Sequence, residues 1–241
     1  MFLNKKIIIS FVLFIICIIL VVFAFINIDI YPKINAPYDI IPTVIIDPGH
    51  GGGDGGAYAN DTVEKDLNLT ISKKLYKLLI SSGFNVKMIR CSDKMINTEG
   101  ANLRERKVSD MKNRLKIYNS NTNNIVISIH QNKFPIDKYY GTQVFYSENN
   151  KNSKTLAESI ETSVKVLLQP DNERKVKPAD KSIYLLYNSK VTSVIVECGF
   201  ISNAKEAIKL KNKKYQNELV FAIYSGLLEY YNVNEVNYGE N

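Results

Sequence analysis

The chain has 241 residues, of which 45% are hydrophobic and 23% are charged, so its composition is that of an ordinary globular protein. This length favours one well-buried domain with a terminal extension over several separate domains. The formal net charge of +7 indicates attraction to polyanions in general, although a lysine-rich solvated surface explains it equally well.

The N-terminal residues predict a membrane anchor. Residues 7–26 are almost unbroken Ile, Leu, Val and Phe, close to the ~20 residues that cross a hydrocarbon layer of ~30 Å. No small-x-small cleavage site follows before Pro32, which favours an uncleaved span over a signal peptide. Lys5 and Lys6 indicate that residues 1–6 stay in the cytoplasm and that the rest is exported. An exported, anchored domain rarely meets nucleic acid, so wall polymer or the membrane surface is the expected partner.

Three further segments follow the predicted span. Residues 27–42 contain three prolines and are typical of an extended linker. Residues 43–232 form the predicted catalytic domain, and residues 233–241 form a flexible tail. Cys91 and Cys198 are the cysteines of the exported part, and they either pair or remain buried free thiols.

Strand and helix patterns alternate along the predicted domain. Strands are predicted at residues 43–47, 84–89, 124–130, 141–146, 183–187 and 193–197, and helices at 67–80, 103–118, 154–168 and 203–231. Residues 57–62 are predicted to continue as a loop. This alternation predicts a single α/β domain with a mixed, mostly parallel twisted sheet flanked by helices, preceded by one transmembrane helix.

Ionisable side chains stand at the ends of three predicted strands. His50 and His130, the two histidines of the chain, follow apolar runs, and Glu197 ends a third. Ligands bind beyond the carboxyl ends of strands in open α/β sheets, so we expect these side chains at one rim. Two imidazoles and one carboxylate, with an open fourth position, are a recurrent set for catalytic zinc.

Hydrolysis at a zinc site also needs a carboxylate that takes the proton of the attacking water. The candidates are Glu64 and Glu197, and the pattern leaves open which of them binds the metal. Asp47 and Asp54 are candidates for orienting the histidines, because metal-bound imidazoles usually donate their other N–H to an oxygen.

The glycine-rich loop over residues 49–56 matches the dinucleotide fingerprint through Gly51, Gly53 and Gly56. That interpretation is weak, because no helix is predicted to open on the third glycine. We expect instead that the glycines let the backbone bend around a metal and leave room for substrate.

Four segments in a fixed order carry a family resemblance: residues 46–52, 64–69, 128–132 and 197–203. With these motifs the chain resembles the zinc-dependent N-acetylmuramoyl-L-alanine amidases of the amidase-3 family. The resemblance implies that His50, Glu64 and His130 hold one Zn²⁺ and that Glu197 is the catalytic carboxylate. It implies hydrolysis of the amide between N-acetylmuramic acid and L-alanine in peptidoglycan.

The resemblance extends to finer features. Arg114 resembles an arginine of the family with a structural or substrate-positioning role, and Asn132 is a further candidate at the site. Gln131 departs from the small residue usual there, which affects the expected substrate subsites. The single anchor and the lack of wall-binding repeats resemble the sporulation and germination-type members. This implies removal of stem peptides from spore cortex for muramic-δ-lactam formation, at the cell or forespore envelope, with an accessory lipoprotein as partner.

Two other classes of function remain open. One is a non-catalytic wall receptor on an amidase-like scaffold, which would have no need of Glu197. The other is a different exported zinc hydrolase, such as a peptidase or a deacetylase.

Overall fold

A computed structural model describes residues 13–16 and 42–238, and it describes side chains as far as residue 232. Residues 13–16 are helical and exposed. No helix within these described ranges is both long enough and apolar enough to cross a membrane. Most of the predicted span at 7–26 and almost all of the linker at 27–42 lie outside the described residues, so both stay predictions.

The described part of the domain contains short strands and longer helices in alternation. The strands are β1 (Thr43–Pro48), β2 (Tyr58–Ala59), β3 (Thr62–Val63), β4 (Asn85–Met88), β5 (Ile125–Asn132), β6 (Gln143–Tyr146), β7 (Lys177–Pro178) and β8 (Thr192–Phe200). The helices, numbered here in chain order, are α1 (Glu64–Ser81), α2 (Leu103–Tyr118), α3 (Asn152–Leu167), α4 (Tyr184–Asn188), α5 (Ala204–Lys211) and α6 (Lys213–Tyr238).

Six of these strands form one sheet in the order β4-β1-β5-β8-β6-β7. β4, β1, β5 and β8 run parallel, whereas β6 is antiparallel to β8 and β7 is parallel to β6. The predicted α/β domain with a mixed, mostly parallel sheet is therefore confirmed. The carboxyl ends of β1, β5 and β8 meet at one edge, and the first residue of β6 lies at the same edge.

Helices cover both faces of this sheet. The larger core joins α1, α3 and α6 to one face and includes Ile46, Ile127 and Val196. On the other face Ile45 and Val126 pack with Tyr118 of α2. Strands buried on both faces need apolar residues at consecutive positions, which explains the continuous apolar runs in β1, β5 and β8.

The prediction of a strand over residues 183–187 is wrong. Ile183 follows a turn in which Asp180 accepts the amide of Ser182, and α4 begins at the next residue. Leu186 packs on Ile195 of β8, while Tyr187 is exposed. A five-residue apolar run fits a strand or a helical turn equally well, and here tertiary packing selects the helix.

Other differences are smaller. The predicted loop at 57–62 contains the β2–β3 hairpin, and α1 begins at Glu64, three residues before the predicted start. The predicted C-terminal helix is divided into α5 and α6, and α6 continues to Tyr238 inside the predicted tail. Cys91 is exposed, Cys198 is buried, and both are free thiols, so they do not pair.

Candidate active site

The three predicted metal ligands meet at the carboxyl edge of the sheet. His50 follows β1, Glu64 is the first residue of α1, and His130 lies near the end of β5. One potential ligand atom from each residue lies within 4.8 Å of the other two. The Oε1 atom of Glu64 is 3.2 Å from Nε2 of His50 and 2.9 Å from Nδ1 of His130. Two imidazole nitrogens and a carboxylate oxygen at this spacing fit a Zn²⁺ ion.

The backbone around α1 fixes the position of Glu64. Its N–H donates to the carbonyl of Ala57, and the N–H of Lys65 donates to the carbonyl of Gly55, so loop carbonyls satisfy the first turn of the helix. The carboxylate of Glu64 is held as well: Oε2 accepts a hydrogen bond from the Ala57 amide at 2.8 Å, and Oε1 accepts one from the Gln131 amide at 3.2 Å. Burial raises the pKa of Glu64, but His130 and His50 outweigh it and hold the pKa well below its usual range.

His50 is held in an uncommon backbone conformation with φ of 62°. Asp54 lies 2.8 Å from its Nδ1 atom, which leaves Nε2 directed at Glu64. Burial lowers the pKa of His50, but Asp54 and Glu64 together raise it to about 9. Asp54 also pairs with Lys107 at 2.9 Å. The structure therefore brings Asp54 to the predicted position beside a candidate ligand.

Two glycines create the space that the ligands occupy. A Cβ atom on Gly49 would lie 2.2 Å from the His130 ring, and one on Gly56 would lie 2.5 Å from Oε2 of Glu64. At these two positions the absence of a side chain therefore makes room for the predicted metal ligands His130 and Glu64, and not for substrate as expected.

Two buried arginines hold the turn that carries His50. Arg114 donates to the carbonyls of Pro48 and His50 at 2.9 and 2.8 Å, and it pairs with Asp47 and Asp110. Because Arg114 is only 2% exposed, it stabilises the site rather than contacting substrate. Asp47 was predicted to orient a histidine, and this is wrong within the described residues: its carboxylate binds Arg114, Tyr118 and Ser128.

The second arginine, Arg90, has no counterpart among the predicted site residues. It is 1% exposed and donates to the carbonyls of Pro48, Gly49 and Lys65 at 2.8 to 2.9 Å. It therefore joins the turn before His50 to the first turn of α1. Its position directly after a predicted strand is a signal in the sequence, but the carbonyls that it binds are set by tertiary structure.

Glu197 stands apart from this network. It lies in β8 directly opposite His130 of β5 and opposite Gln143 of β6. Its Oε2 atom is buried and has no hydrogen-bond partner among the residues that the structure describes. Burial raises the pKa of Glu197 to about 7. A carboxyl group with this pKa is suited to both accepting and releasing a proton near neutral pH.

The remaining candidates flank these groups. Asn132 ends β5, and its carbonyl accepts the amide of Ile201. Gln131 is buried and donates to Asn68 of α1 at 3.1 Å, on the face of the sheet opposite His130. Gln131 therefore helps to position Glu64, directly through its backbone amide and indirectly through Asn68. Its expected influence on a substrate subsite stays a prediction.

An α/β domain with two histidines and a glutamate around one point, and a separate carboxylate on the next strand, has the residues of a metal-dependent hydrolase. Residues 44–229 match the model of the Amidase_3 family, described as N-acetylmuramoyl-L-alanine amidase, and the chain belongs to this family. It is thus an amide hydrolase that acts on peptidoglycan, as the four sequence motifs predict.

Individual relatives agree with this assignment. The chain is 35% identical over 189 residues to the germination-specific N-acetylmuramoyl-L-alanine amidase of Bacillus subtilis, covering 78% of this chain and 79% of the relative. It is similar to the CwlD amidase of Clostridioides difficile, solved in complex with the GerS lipoprotein, with a TM-score of 0.76 and 41% identity. The match covers 80% of this chain and 99% of that structure's chain. An N-acetylmuramoyl-L-alanine amidase from Clostridium difficile 630 gives a TM-score of 0.68 at 28% identity, and the match covers 80% of this chain and 98% of that one. The predicted similarity to germination-type amidases is confirmed.

Proposed function

We propose that this chain hydrolyses the amide between the lactyl group of N-acetylmuramic acid and L-alanine with one Zn²⁺ held by His50, Glu64 and His130. The observation that carries this proposal is the convergence of three ligand atoms within 4.8 Å beside an unpartnered, buried oxygen of Glu197. A structural zinc site would use four protein ligands, commonly with cysteine, whereas three ligands suit a catalytic site.

Each residue has a separate task in this reaction. When bound, Zn²⁺ supplies polarisation of the carbonyl oxygen and a water whose pKa is lowered to about 7. Glu197 accepts the proton of the attacking water and passes it to the leaving nitrogen. Asp54 keeps the Nδ1 side of His50 occupied, so that Nε2 faces the metal position.

The biological setting is part of the same proposal. The chain removes stem peptides from spore-cortex peptidoglycan, and a separate deacetylase then completes muramic-δ-lactam. Support comes from the germination-specific name of the Bacillus subtilis relative and from the lipoprotein complex of the Clostridioides difficile relative. By the same reasoning this chain works with an accessory lipoprotein. The apolar run at 7–26 supports a single membrane anchor with the catalytic domain outside the cytoplasm.

Digestion of purified peptidoglycan by the purified full-length chain tests the activity. Reactions with added zinc and with a chelator are compared, and the products are identified by mass spectrometry. We expect stem peptides with a new amino terminus on L-alanine, and we expect the chelator to abolish them. Released acetate would identify a deacetylase. Binding without any product, also when the accessory lipoprotein is added, would identify a wall receptor.

A second experiment tests the role in the cortex. Cortex peptidoglycan with intact stem peptides is treated with the full-length chain, with a purified muramic acid deacetylase, and with both. We expect muramic-δ-lactam only when both proteins are present. Lactam formation by the deacetylase alone would contradict the proposed role.

A further inference from the structure

Arg174 lies in the segment between α3 and β7, at the edge of the sheet that carries the active site. Its Nε atom donates to the carbonyl of Tyr140 at 2.7 Å, and Nη1 lies 3.4 Å from Oε1 of Gln143. Its guanidinium carbon lies 4.4 Å from the centre of the Phe200 ring and 5.7 Å from that of Tyr139. Two aromatic rings and two hydrogen bonds therefore fix the orientation of this arginine.

The contact with Gln143 brings Arg174 close to the proposed catalytic carboxylate. Gln143 is paired with Glu197 across β6 and β8, and side chains that are directly opposite in an antiparallel pair share a face, with Cβ atoms about 5 Å apart. Phe200, which stacks on Arg174, belongs to the same strand as Glu197. The side chain of Gln143 thus lies between Glu197 and Arg174, and Arg174 is on the side of Glu197 that faces away from His50.

Within the part of the chain that the structure describes, no carboxylate forms an ion pair with Arg174. Within the described part of the chain, none lies within 4.0 Å of its guanidinium group, although the structure contains ion pairs elsewhere. Glu206 interacts with Arg174 at longer range, but its Oε2 atom accepts the amides of Gly141 and Phe200. Arg174 is only partly exposed. A partly buried and ordered guanidinium without a paired anion has the properties of an anion-binding group.

We propose that Arg174 binds a free carboxylate of the peptidoglycan stem peptide and so selects substrates by the charge of that peptide. This inference rests on the proposed amidase function. The stem peptide carries the free carboxylates of the substrate beyond the amide that is cut, and each extended residue spans about 3.5 Å. Because only Gln143 separates Arg174 from Glu197, the first few residues of the peptide are long enough to span this distance. The planar guanidinium suits a carboxylate because it offers two parallel N–H donors.

A purely structural role of Arg174 makes a different prediction. Its Nε atom links the segment 169–176 to the carbonyl of Tyr140, so any substitution could loosen this edge of the site. Loosening would lower activity on every substrate by a similar factor. Loss of a carboxylate contact lowers activity only on substrates that carry this carboxylate, so the ratio between matched substrates separates the two roles.

The test uses four synthetic muramoyl tetrapeptides and the purified full-length chain. One substrate has all its stem carboxylates free, and the others are amidated at the second residue, at the side chain of the third residue, or at the C-terminus. The kcat and KM values are measured for the wild type, Arg174→Gln, Arg174→Lys and Lys175→Gln. Lys175 is an exposed neighbour whose replacement removes the same charge.

We expect the wild type to cleave one of the amidated substrates with a kcat/KM about tenfold to a hundredfold lower, mainly through a higher KM, because a hydrogen bond to a charged group is lost. Arg174→Gln should abolish this preference, Arg174→Lys should retain part of it, and Lys175→Gln should retain all of it. The position whose amidation matters identifies the bound carboxylate.

Two outcomes would overturn the proposal. One is a wild type that cleaves all four substrates with equal kcat/KM, and the other is a preference that Arg174→Gln leaves unchanged. Both are ratios within one protein preparation, so partial unfolding of a variant does not affect them. Cleavage of none of the substrates by the wild type, also with the accessory lipoprotein present, would instead contradict the proposed amidase function.

Discussion

The two sides of the active site are built differently. Around His50, at the end of β1, almost every polar atom has a partner: Asp54 binds the ring, and Arg114 and Arg90 bind the carbonyls of residues 48–50. Within β8, Glu197 has a buried oxygen with no partner among the described residues, and burial raises its pKa to about 7.

This difference corresponds to two tasks. Metal ligands must keep a fixed geometry and protonation state, and a dense set of hydrogen bonds provides both. A general base must change its protonation state during turnover, so strong fixed partners would hold its pKa too low. Substitutions on the His50 side should therefore reduce metal binding, and substitution of Glu197 should reduce turnover alone.

The largest effect is expected for Glu64→Gln. The amide is a poor metal ligand, and its NH₂ group faces the nitrogens of His50 and His130. We expect zinc affinity to fall by more than about a hundredfold, beyond the effect typical of supporting residues, and turnover to fall to background. Zinc titration and peptidoglycan digestion measure both. Asp66→Asn, an exposed change in the same helical turn, should alter neither.

The next effect concerns the buried ion pairs of Arg114. Arg114→Met leaves Asp47 and Asp110 without their cation, and breaking a buried pair in this way costs about 3 to 5 kcal/mol. The free energy of unfolding from denaturant titration should fall by this amount. Arg104→Met, on the exposed face of the same helix, should change it by less than about 0.5 kcal/mol. Equal effects of the two variants would contradict a structural role for Arg114.

A smaller effect is expected for Asp54→Asn. The asparagine can still bind Nδ1 of His50, but it lacks the charge that makes the imidazole a stronger ligand. Zinc affinity should fall about tenfold to a hundredfold. The free energy of unfolding should change only by the amount that weaker zinc binding accounts for. Asp61→Asn in the nearby hairpin is the matched control. Unchanged zinc affinity in Asp54→Asn would show that the contact with His50 is incidental.

The smallest effect is expected for Gly56→Ala. The new Cβ would lie 2.5 Å from Oε2 of Glu64, and the residue has φ of +68°. Gly83→Ala provides a control, since Gly83 also has positive φ, at +85°, but no atom lies within 4 Å of its new Cβ. Both variants should lose about 1 to 2 kcal/mol of stability from backbone strain. Only Gly56→Ala should also weaken zinc binding, as measured by competition with a chelator.

The sequence predicts the sheet and the rim residues because both depend on local patterns. Apolar runs identify β1, β5 and β8, and the polar residues that follow them are brought to one edge by parallel pairing. The role of Asp47 and the importance of Arg90 could not be predicted in this way. Both depend on which groups from distant segments meet in the folded chain, such as Arg90 with the carbonyl of Lys65.

The helix α4 illustrates the same limit at the level of the fold. Its five residues contain too few periods to separate a helical turn from a strand. The contact of Leu186 with Ile195 of β8 favours the helical turn, and the sequence of residues 183–187 alone does not predict this contact.

The most direct test of the division between metal ligands and base is to measure bound zinc and turnover on one preparation of Glu197→Gln. We expect one zinc per chain, as in the wild type, and a turnover reduced by about 10² to 10⁴, the contribution typical of a general base. Glu158→Gln, at an exposed carboxylate of α3, should match the wild type in both measurements. Loss of zinc from Glu197→Gln would contradict the account, because it would make Glu197 a ligand, and full turnover would show that another group moves the proton.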